Sequence, residues 1–169
     1  MSLISTLYKG KKVLVTGHTG FKGTWLSLWL NHLGANVVGV SLDIPSNPSH
    51  FISANVSNEI DDYRLDICDA ERIKEIVSAE EPDIVFHLAA QALVRLSYDS
   101  PLKTLSTNAI GTANVLDSLR SLEKPVVAVM ITSDKAYDNV EWPWGYRETD
   151  SLGGKDPYSA SKGMAELAI

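Results

Sequence analysis

The sequence predicts an α/β domain built on a doubly wound parallel β-sheet. Short β-branched runs alternate with longer stretches in which apolar residues recur at spacings of three and four. The predicted strands are almost continuously apolar, as in parallel strands that are covered by helices on both faces, and right-handed crossovers then give a doubly wound sheet. The length of 169 residues and an apolar content of 44% fit one globular domain.

Each predicted element corresponds to one of these runs. The strands are expected at residues 12–16, 36–40, 60–65, 83–88 and 126–131. Helices are expected after strands 1, 3, 4 and 5, at residues 21–33, 70–79, 101–122 and from 157 onward. The first helix is apolar nearly all round, so Trp25 and Trp29 are expected to be buried in the core. Two long connections, 43–58 and 136–156, are candidates for functional loops.

Composition excludes several classes of protein. A formal net charge of −6 argues against a nucleic-acid-binding protein. The single cysteine, Cys68, excludes an intrachain disulfide and a cysteine-based zinc site, and we expect it to be a small half-buried residue and no metal to be bound. The longest apolar run, residues 126–131, is far shorter than the ~20 residues of a membrane span, and the first residues lack the pattern of a signal peptide. We therefore expect a cytoplasmic protein without a membrane or nucleic-acid partner.

A glycine-rich loop, residues 17–23, lies between the first strand and the first helix. Its spacing is GxxGxxG, which permits a tight turn, a close approach of the backbone to a pyrophosphate and an anion site at the helix N-terminus. Asp43 follows the second strand, 20 residues after Gly23, where an acid accepts hydrogen bonds from an unphosphorylated ribose. This spacing favours NAD as the cofactor, although a turn or helix-cap role for Asp43 is the alternative.

Two further motifs carry reactive groups. Tyr158 and Lys162 lie four residues apart and hence on one helix face, where the ammonium is expected to lower the pKa of the phenol. Such a tyrosine can take the proton from an alcohol as hydride leaves it. Residues 132–135, Thr-Ser-Asp-Lys, follow the fifth strand at the carboxyl edge of the sheet, where doubly wound proteins bind ligands. A solvated Asp134–Lys135 pair is the alternative to a catalytic one.

Taken together, the glycine loop, Asp43, His87-Leu-Ala-Ala90, Thr107-Asn108, residues 132–135 and residues 158–162 resemble the extended short-chain dehydrogenase/reductase family over essentially the whole chain. Four longer strings, HLAAQALVRLSYDSP, ITSDKAYDN, EWPWGYRETD and GGKDPYSASKG, resemble its CDP-glucose 4,6-dehydratase subgroup. The resemblance implies a Rossmann fold that binds NAD.

The activity implied by the resemblance is the dehydration of CDP-glucose to CDP-4-keto-6-deoxyglucose, a step of deoxysugar biosynthesis of the kind used for lipopolysaccharide O-antigens. Tyr158, assisted by Lys162 and Ser133, would deprotonate the sugar C4 hydroxyl while NAD accepts the C4 hydride. Lys135 is the candidate base at C5, which requires a neutral amine, and Asp134 is the candidate acid at the C6 hydroxyl. The alternatives are a nucleotide-sugar 4-epimerase, a dehydratase of another nucleotide sugar and a non-catalytic NAD-binding module.

The resemblance also gives a set of binding residues. The expected cofactor-binding residues are Gly17, Thr19, Gly20, Phe21, Lys22, Gly23, Asp43, Asp66, Ile67, Leu88, Ala89, Ala90, Asn108, Thr132, Tyr158 and Lys162. Gln91 and Arg95 are expected to face the sugar diphosphate, with a solvated helix surface as the alternative for Arg95. His18, inside the glycine loop, is expected to pack against the turn.

Family members have a second half that grips the nucleotide sugar. Because the last predicted helix reaches Ile169 without a capping signal, residues 1–169 are expected to be an NAD-binding Rossmann domain that is truncated before that substrate-binding lobe. Such a fragment is expected to bind NAD with little turnover. Family likeness also implies a homodimer or a higher homo-oligomer through the helices at 101–122 and from 157 onward.

Overall fold

The protein contains one parallel sheet of five strands, which a computed structural model describes over residues 3–169. The strand order is β3-β2-β1-β4-β5, with every pair parallel, so the predicted doubly wound sheet is confirmed. The strands are β1 (Lys12–Thr16), β2 (Asn36–Ser41), β3 (Asp61–Arg64), β4 (Ile84–His87) and β5 (Val127–Met130). The order reverses between β1 and β4, which places a ligand crevice at the carboxyl ends of these two strands.

Eight α-helices accompany the sheet in the described residues. They are α1 (Leu3–Tyr8), α2 (Phe21–His32), α3 (His50–Ser53), α4 (Ala70–Glu80), α5 (Val94–Asp99), α6 (Pro101–Leu105), α7 (Gly111–Leu119) and α8 (Pro157–Ala168). The helix predicted over 101–122 is divided, because a π-helical turn, Ser106–Ile110, joins α6 to α7. The short helices α1, α3 and α5 were not predicted, since four to six residues are too few to show a helical period.

Helices pack on both faces of the sheet. On one face, Leu14 and Val85 of the strands pack with Ile73 of α4 and Val115 of α7. On the other face, Leu30 of α2 belongs to a second cluster with residues of β1 and β2. The second cluster thereby holds α2, the helix that follows the glycine loop, against the sheet.

Two expectations about burial are wrong. Trp25 and Trp29 are 58% and 54% exposed, because α2 turns its small residues and Leu30 toward the sheet and its bulky aromatic residues away from it. Val127 and Val129 of β5 are exposed as well, so this edge strand is not covered on both faces in the described chain. Between residues 3 and 169, no helix is both long enough and apolar enough to span a bilayer.

Candidate active site

The glycine loop lies directly against the backbone that follows β4. Gly17 has φ of +74°, and a Cβ added there would lie 2.7 Å from the amide nitrogen of Ala89. A Cβ on Gly23 would overlap the carbonyl oxygen of Gly17 and lie 2.7 Å from Cα of His18. Neither position has room for a side chain, so the predicted tight turn and close helix packing are both present.

The N-terminus of α2 offers backbone amides to an anion. Its N-cap residue, Gly20, has no side chain to accept a hydrogen bond, and the first turn carries no acidic residue. The unpaired N–H groups and the helix dipole favour a negatively charged ligand here. Phe21 and Lys22 lie in this first turn and are exposed. These features fit the pyrophosphate of a dinucleotide.

The loop after β2 is tied to the glycine loop. The Thr19 hydroxyl donates to the carbonyl oxygen of Asp43 at 2.6 Å, and the Thr19 amide donates to Ser41 Oγ at 3.3 Å. Asp43 is exposed, and its carboxylate accepts no hydrogen bond from any residue that the structure describes. That carboxylate is therefore free to accept hydrogen bonds from a ribose.

His18 is fully buried behind the same loop. Its Nε2 lies 2.9 Å from Asp62 Oδ1, and its Nδ1 lies 3.0 Å from Ser41 Oγ. Burial lowers the pKa of His18, although the charge of Asp62 opposes that shift. His18 therefore packs against the turn, as expected, and also joins the glycine loop to β2 and β3.

The residues after β3 support their own loop, whereas the residues after β4 lie along the predicted cofactor path. Asp66 Oδ1 accepts a hydrogen bond from the Cys68 amide, and Cys68 is half-buried as expected. Ile67 is buried in the core, so its side chain supports the loop from inside. Residues 88–90, in contrast, are half-buried and run past Gly17 along the predicted cofactor path.

Tyr158 and Lys162 lie on the same face of α8, where both are buried. Lys162 Nζ is 6.0 Å from the centre of the Tyr158 ring. Burial raises the pKa of Tyr158, and a hydrogen bond with Ser133 opposes that shift, so the expected lowering by Lys162 is wrong. Burial also lowers the pKa of Lys162, which the charge of Glu166 opposes.

Residues 132–135, which follow β5, lie close to Tyr158 on α8. Ser133 Oγ donates to Asp134 Oδ1 at 3.0 Å, and the charge of Asp134 acts to raise the pKa of Tyr158. Asp134 and Lys135 are both exposed, so residues 3–169 do not shield this pair from water. The Thr132 hydroxyl donates to Glu166 of α8. Ser133, Asp134 and Tyr158 thus converge.

Asn108 links two of the predicted site segments. It is buried in the π-helical turn, where its Oδ1 accepts from the Gln91 amide and its Nδ2 donates to Ser161 Oγ at 2.8 Å. The Gln91 side chain bonds to the Leu93 backbone and to Thr104, and thereby closes its own loop. Arg95 is exposed on α5. The sequence did not indicate that Asn108 bonds to Ser161 of α8, because the two residues are far apart along the chain.

A parallel sheet with a glycine loop at the reversal of strand order, and a helix that carries a Tyr/Lys pair and packs on the segment after β5, defines a dinucleotide-binding protein of the short-chain dehydrogenase/reductase type. Residues 14–169 match the family model described as GDP-mannose 4,6 dehydratase. The chain belongs to this family, which covers nearly all of it.

Individual relatives agree with this assignment. The chain is 51% identical over 160 residues to the CDP-glucose 4,6-dehydratase of Salmonella typhimurium, which covers 95% of this chain and 45% of the relative. It is 27% identical to the UDP-glucose 4-epimerase of Mycoplasma genitalium, over 94% of this chain and 47% of the relative. The crystal structure of Thermus thermophilus UDP-glucose 4-epimerase in complex with NAD matches with a TM-score of 0.78 and 28% identity, over 92% of this chain and 49% of that one.

These comparisons confirm the resemblance to the CDP-glucose 4,6-dehydratase subgroup and the Rossmann-type fold. The chain spans about half the length of the relatives it matches. The activity of a full-length protein is therefore a matter for proposal.

Proposed function

We propose that the full-length protein containing this chain is an NAD-dependent dehydratase that converts CDP-glucose to CDP-4-keto-6-deoxyglucose. The observation that carries this proposal is the convergence of Ser133 and Asp134 on Tyr158, next to Lys162 and at the sheet edge that holds the glycine loop. The 51% identity to a CDP-glucose 4,6-dehydratase supports the substrate. The open first turn of α2 and the free Asp43 carboxylate fit NAD.

Bound NAD would supply an acceptor for the hydride of the sugar C4 and the hydride that C6 receives when C5 regains a proton. The Tyr158 phenol takes the proton of the C4 hydroxyl, and its hydrogen bond to Ser133 opposes the effect of burial by lowering its pKa. Lys162 lies on the same helix face, with its Nζ 6.0 Å from the centre of the Tyr158 ring. The resulting 4-ketone acidifies the C5 proton.

The elimination uses the exposed pair that follows Ser133. Lys135 takes the C5 proton, and Asp134 protonates the C6 hydroxyl as it leaves as water. Asp134 lies close enough to Tyr158 to influence its pKa, whereas the charge of Lys135 acts on Asp156. Residues 1–169 constitute the NAD-binding Rossmann domain with its Tyr/Lys pair, and a further lobe grips the nucleotide sugar.

Turnover of CDP-glucose by the full-length protein tests the proposal. The absorbance of the keto-sugar product and a mass lower by one water are expected, together with NAD that copurifies with the protein. Inversion at C4 without loss of water would establish a 4-epimerase instead, the activity named for the Mycoplasma and Thermus relatives. Unchanged biological function in Tyr158→Phe would establish a non-catalytic NAD-binding module.

Residues 1–169 assayed alone separate binding from catalysis. We expect this chain to bind NAD with little or no turnover, because Asp134 and Lys135 are open to solvent. Turnover comparable to that of the full-length protein would contradict a requirement for a further lobe. The full-length protein is expected to be cytoplasmic. It is also expected to be at least dimeric, and sedimentation measures this oligomeric state.

A further inference from the structure

His87 is a buried titratable residue at the end of β4 to which the proposed reaction gives no role. Only 3% of its surface is exposed, and both ring nitrogens have hydrogen-bond partners. Nδ1 lies 2.7 Å from Thr16 Oγ1 on β1, and Nε2 lies 3.0 Å from Thr112 Oγ1 on α7. The His87 ring thus connects β1 with α7, which packs on the sheet.

The direction of each hydrogen bond follows from the partners at the two ends. The Thr112 hydroxyl donates to the carbonyl oxygen of Asn108 at 2.7 Å, and a carbonyl can only accept. The single hydroxyl proton of Thr112 is thereby used, so Thr112 accepts from His87, whose Nε2 must carry hydrogen. The hydrogen bond with Thr112 therefore requires that a neutral His87 ring carries its hydrogen on Nε2.

The other end agrees with that tautomer. Thr16 Oγ1 accepts a hydrogen bond from the amide of Ala89 at 3.1 Å and donates its own proton to the bare Nδ1 of His87. Burial and the charge of Lys162 hold the pKa of His87 at about 4, so the ring is neutral at pH 7. The hydrogen bonds run without conflict from Ala89 through Thr16 to the ring, and from the ring through Thr112 to Asn108.

The two residues at the ends of this hydrogen-bond network, Ala89 and Asn108, belong to the candidate site. The Ala89 amide lies against Gly17, at the point where the glycine loop meets β4. Asn108 donates to Ser161 Oγ, and Ser161 in turn donates to the carbonyl oxygen of Tyr158. His87 therefore stands between the cofactor loop and the helix that carries the reactive phenol.

We propose that His87, as a neutral ring protonated on Nε2, is a positioning residue that fixes α8 relative to the glycine loop and so aligns Tyr158 and Lys162 with the cofactor. This role rests on the proposed function, because it concerns the geometry of hydride and proton transfer. Displacement of a reacting group by about 1 Å can reduce a rate about a hundredfold, so a buried tether at this place affects turnover more than cofactor affinity.

Three variants of the full-length protein test the role. Thr112→Val keeps the shape of the side chain but removes the hydroxyl, Thr112→Ser keeps the hydroxyl, and Ser118→Ala removes a comparable buried hydroxyl that bonds to Val115 on the same helix. We expect kcat for CDP-glucose to fall at least tenfold in Thr112→Val and to stay within threefold in the other two. The dissociation constant for NAD should change less than threefold in all three. A Thr112→Val kcat equal to that of Ser118→Ala would overturn the role.

A second measurement does not depend on the substrate. ¹⁵N NMR of the histidine rings, assigned through the signal lost in His87→Gln, should show hydrogen on Nε2 and a bare Nδ1 at pH 7. The amide resonances of Ser161 and Lys162 should shift in Thr112→Val but not in Ser118→Ala. A ring protonated on Nδ1, an imidazolium at pH 7 or unmoved α8 resonances would overturn the positioning role. Failure to turn over CDP-glucose, with these NMR results as expected, would contradict the proposed function alone.

Discussion

Replacing Gly23 with alanine tests how closely α2 must approach the glycine loop. The added Cβ would overlap the Gly17 carbonyl oxygen and lie 2.7 Å from Cα of His18. Carbon atoms that are not bonded prefer about 3.5 to 4.0 Å, so α2 or the loop must move by about 1 Å. Both obstacles are backbone atoms, and His18 is itself held by Asp62, so no side-chain rotation can relieve the overlap.

The displacement has two expected consequences. Overpacking of this kind typically costs about 1 to 3 kcal/mol, so the free energy of unfolding should fall by that amount. The first-turn amides of α2 would also move away from the pyrophosphate, and we expect the dissociation constant for NAD to rise at least tenfold, which corresponds to about 1.4 kcal/mol.

Urea unfolding and a titration of NAD binding measure the two effects. Gly145→Ala is the matched control, because a Cβ at Gly145 meets no atom within 4 Å and the residue has no positive φ. If Gly23→Ala binds NAD as tightly as Gly145→Ala and is equally stable, the glycine loop does not need the close packing inferred here.

Three further changes test other parts of the site. Tyr158→Phe should reduce turnover by about 10² to 10⁴ and leave NAD binding intact, as measured by product absorbance and cofactor titration. The neutral His87, whose pKa is held at about 4, should stabilise the fold above pH 6.5 by about 3 kcal/mol, a contribution that is lost as the pH falls toward 4. The free energy of unfolding, measured with urea at each pH, should change less with pH in His87→Gln than in the unaltered protein. An equally steep decrease in His87→Gln would exclude His87 as its source. Asp156→Ala and Asp69→Ala each remove a helix N-cap and should each cost about 1 kcal/mol by thermal unfolding, but only Asp156→Ala, on the helix that carries Tyr158, should reduce turnover. Equal turnover in these two variants would argue against a role for the α8 cap.

The sheet and the glycine loop could be predicted because their signals are local. β-branched runs mark the strands, and the three glycines stand between a strand and a helix within seven residues. The start of α8 is equally local, since Asp156 accepts from the Ser159 amide as a cap and Pro157 occupies the first turn. Each of these features depends on neighbours in the chain.

Burial was harder to predict, because spacing shows that a residue is apolar but not which side of its helix meets the sheet. Trp25 and Trp29 point away from the sheet, on the side of α2 where the Trp25 ring lies 4.5 Å from the His50 ring of α3. The same limit explains the error at Tyr158. Four-residue spacing places Lys162 on its helix face, but the pKa of the phenol is dominated by its burial.

Long-range hydrogen bonds could not be read from the sequence at all. The two partners of His87 are 71 and 25 residues away from it along the chain. The available signal is weaker: His87 is the second-last residue of the predicted strand 83–88 and has apolar neighbours on both sides, where a buried polar group needs partners. Such a residue indicates a buried network but does not identify its members.

The site separates into a buried part and an open part, and this separation has a chemical consequence. Tyr158 and Lys162, to which we assign proton transfer at C4 in the proposed function, are buried, whereas Asp134 and Lys135, to which we assign the elimination, are exposed. Interactions between charges are much weaker in water than in a shielded site, so this exposed pair would act more strongly on a substrate once it is covered. If the proposed function holds, we expect oxidation at C4 to depend mainly on buried groups of this chain, and loss of water to depend on residues that cover Asp134 and Lys135. We expect residues that bury this pair to restrict the protein to dehydration, because the Tyr/Lys pair by itself would serve an epimerase equally well.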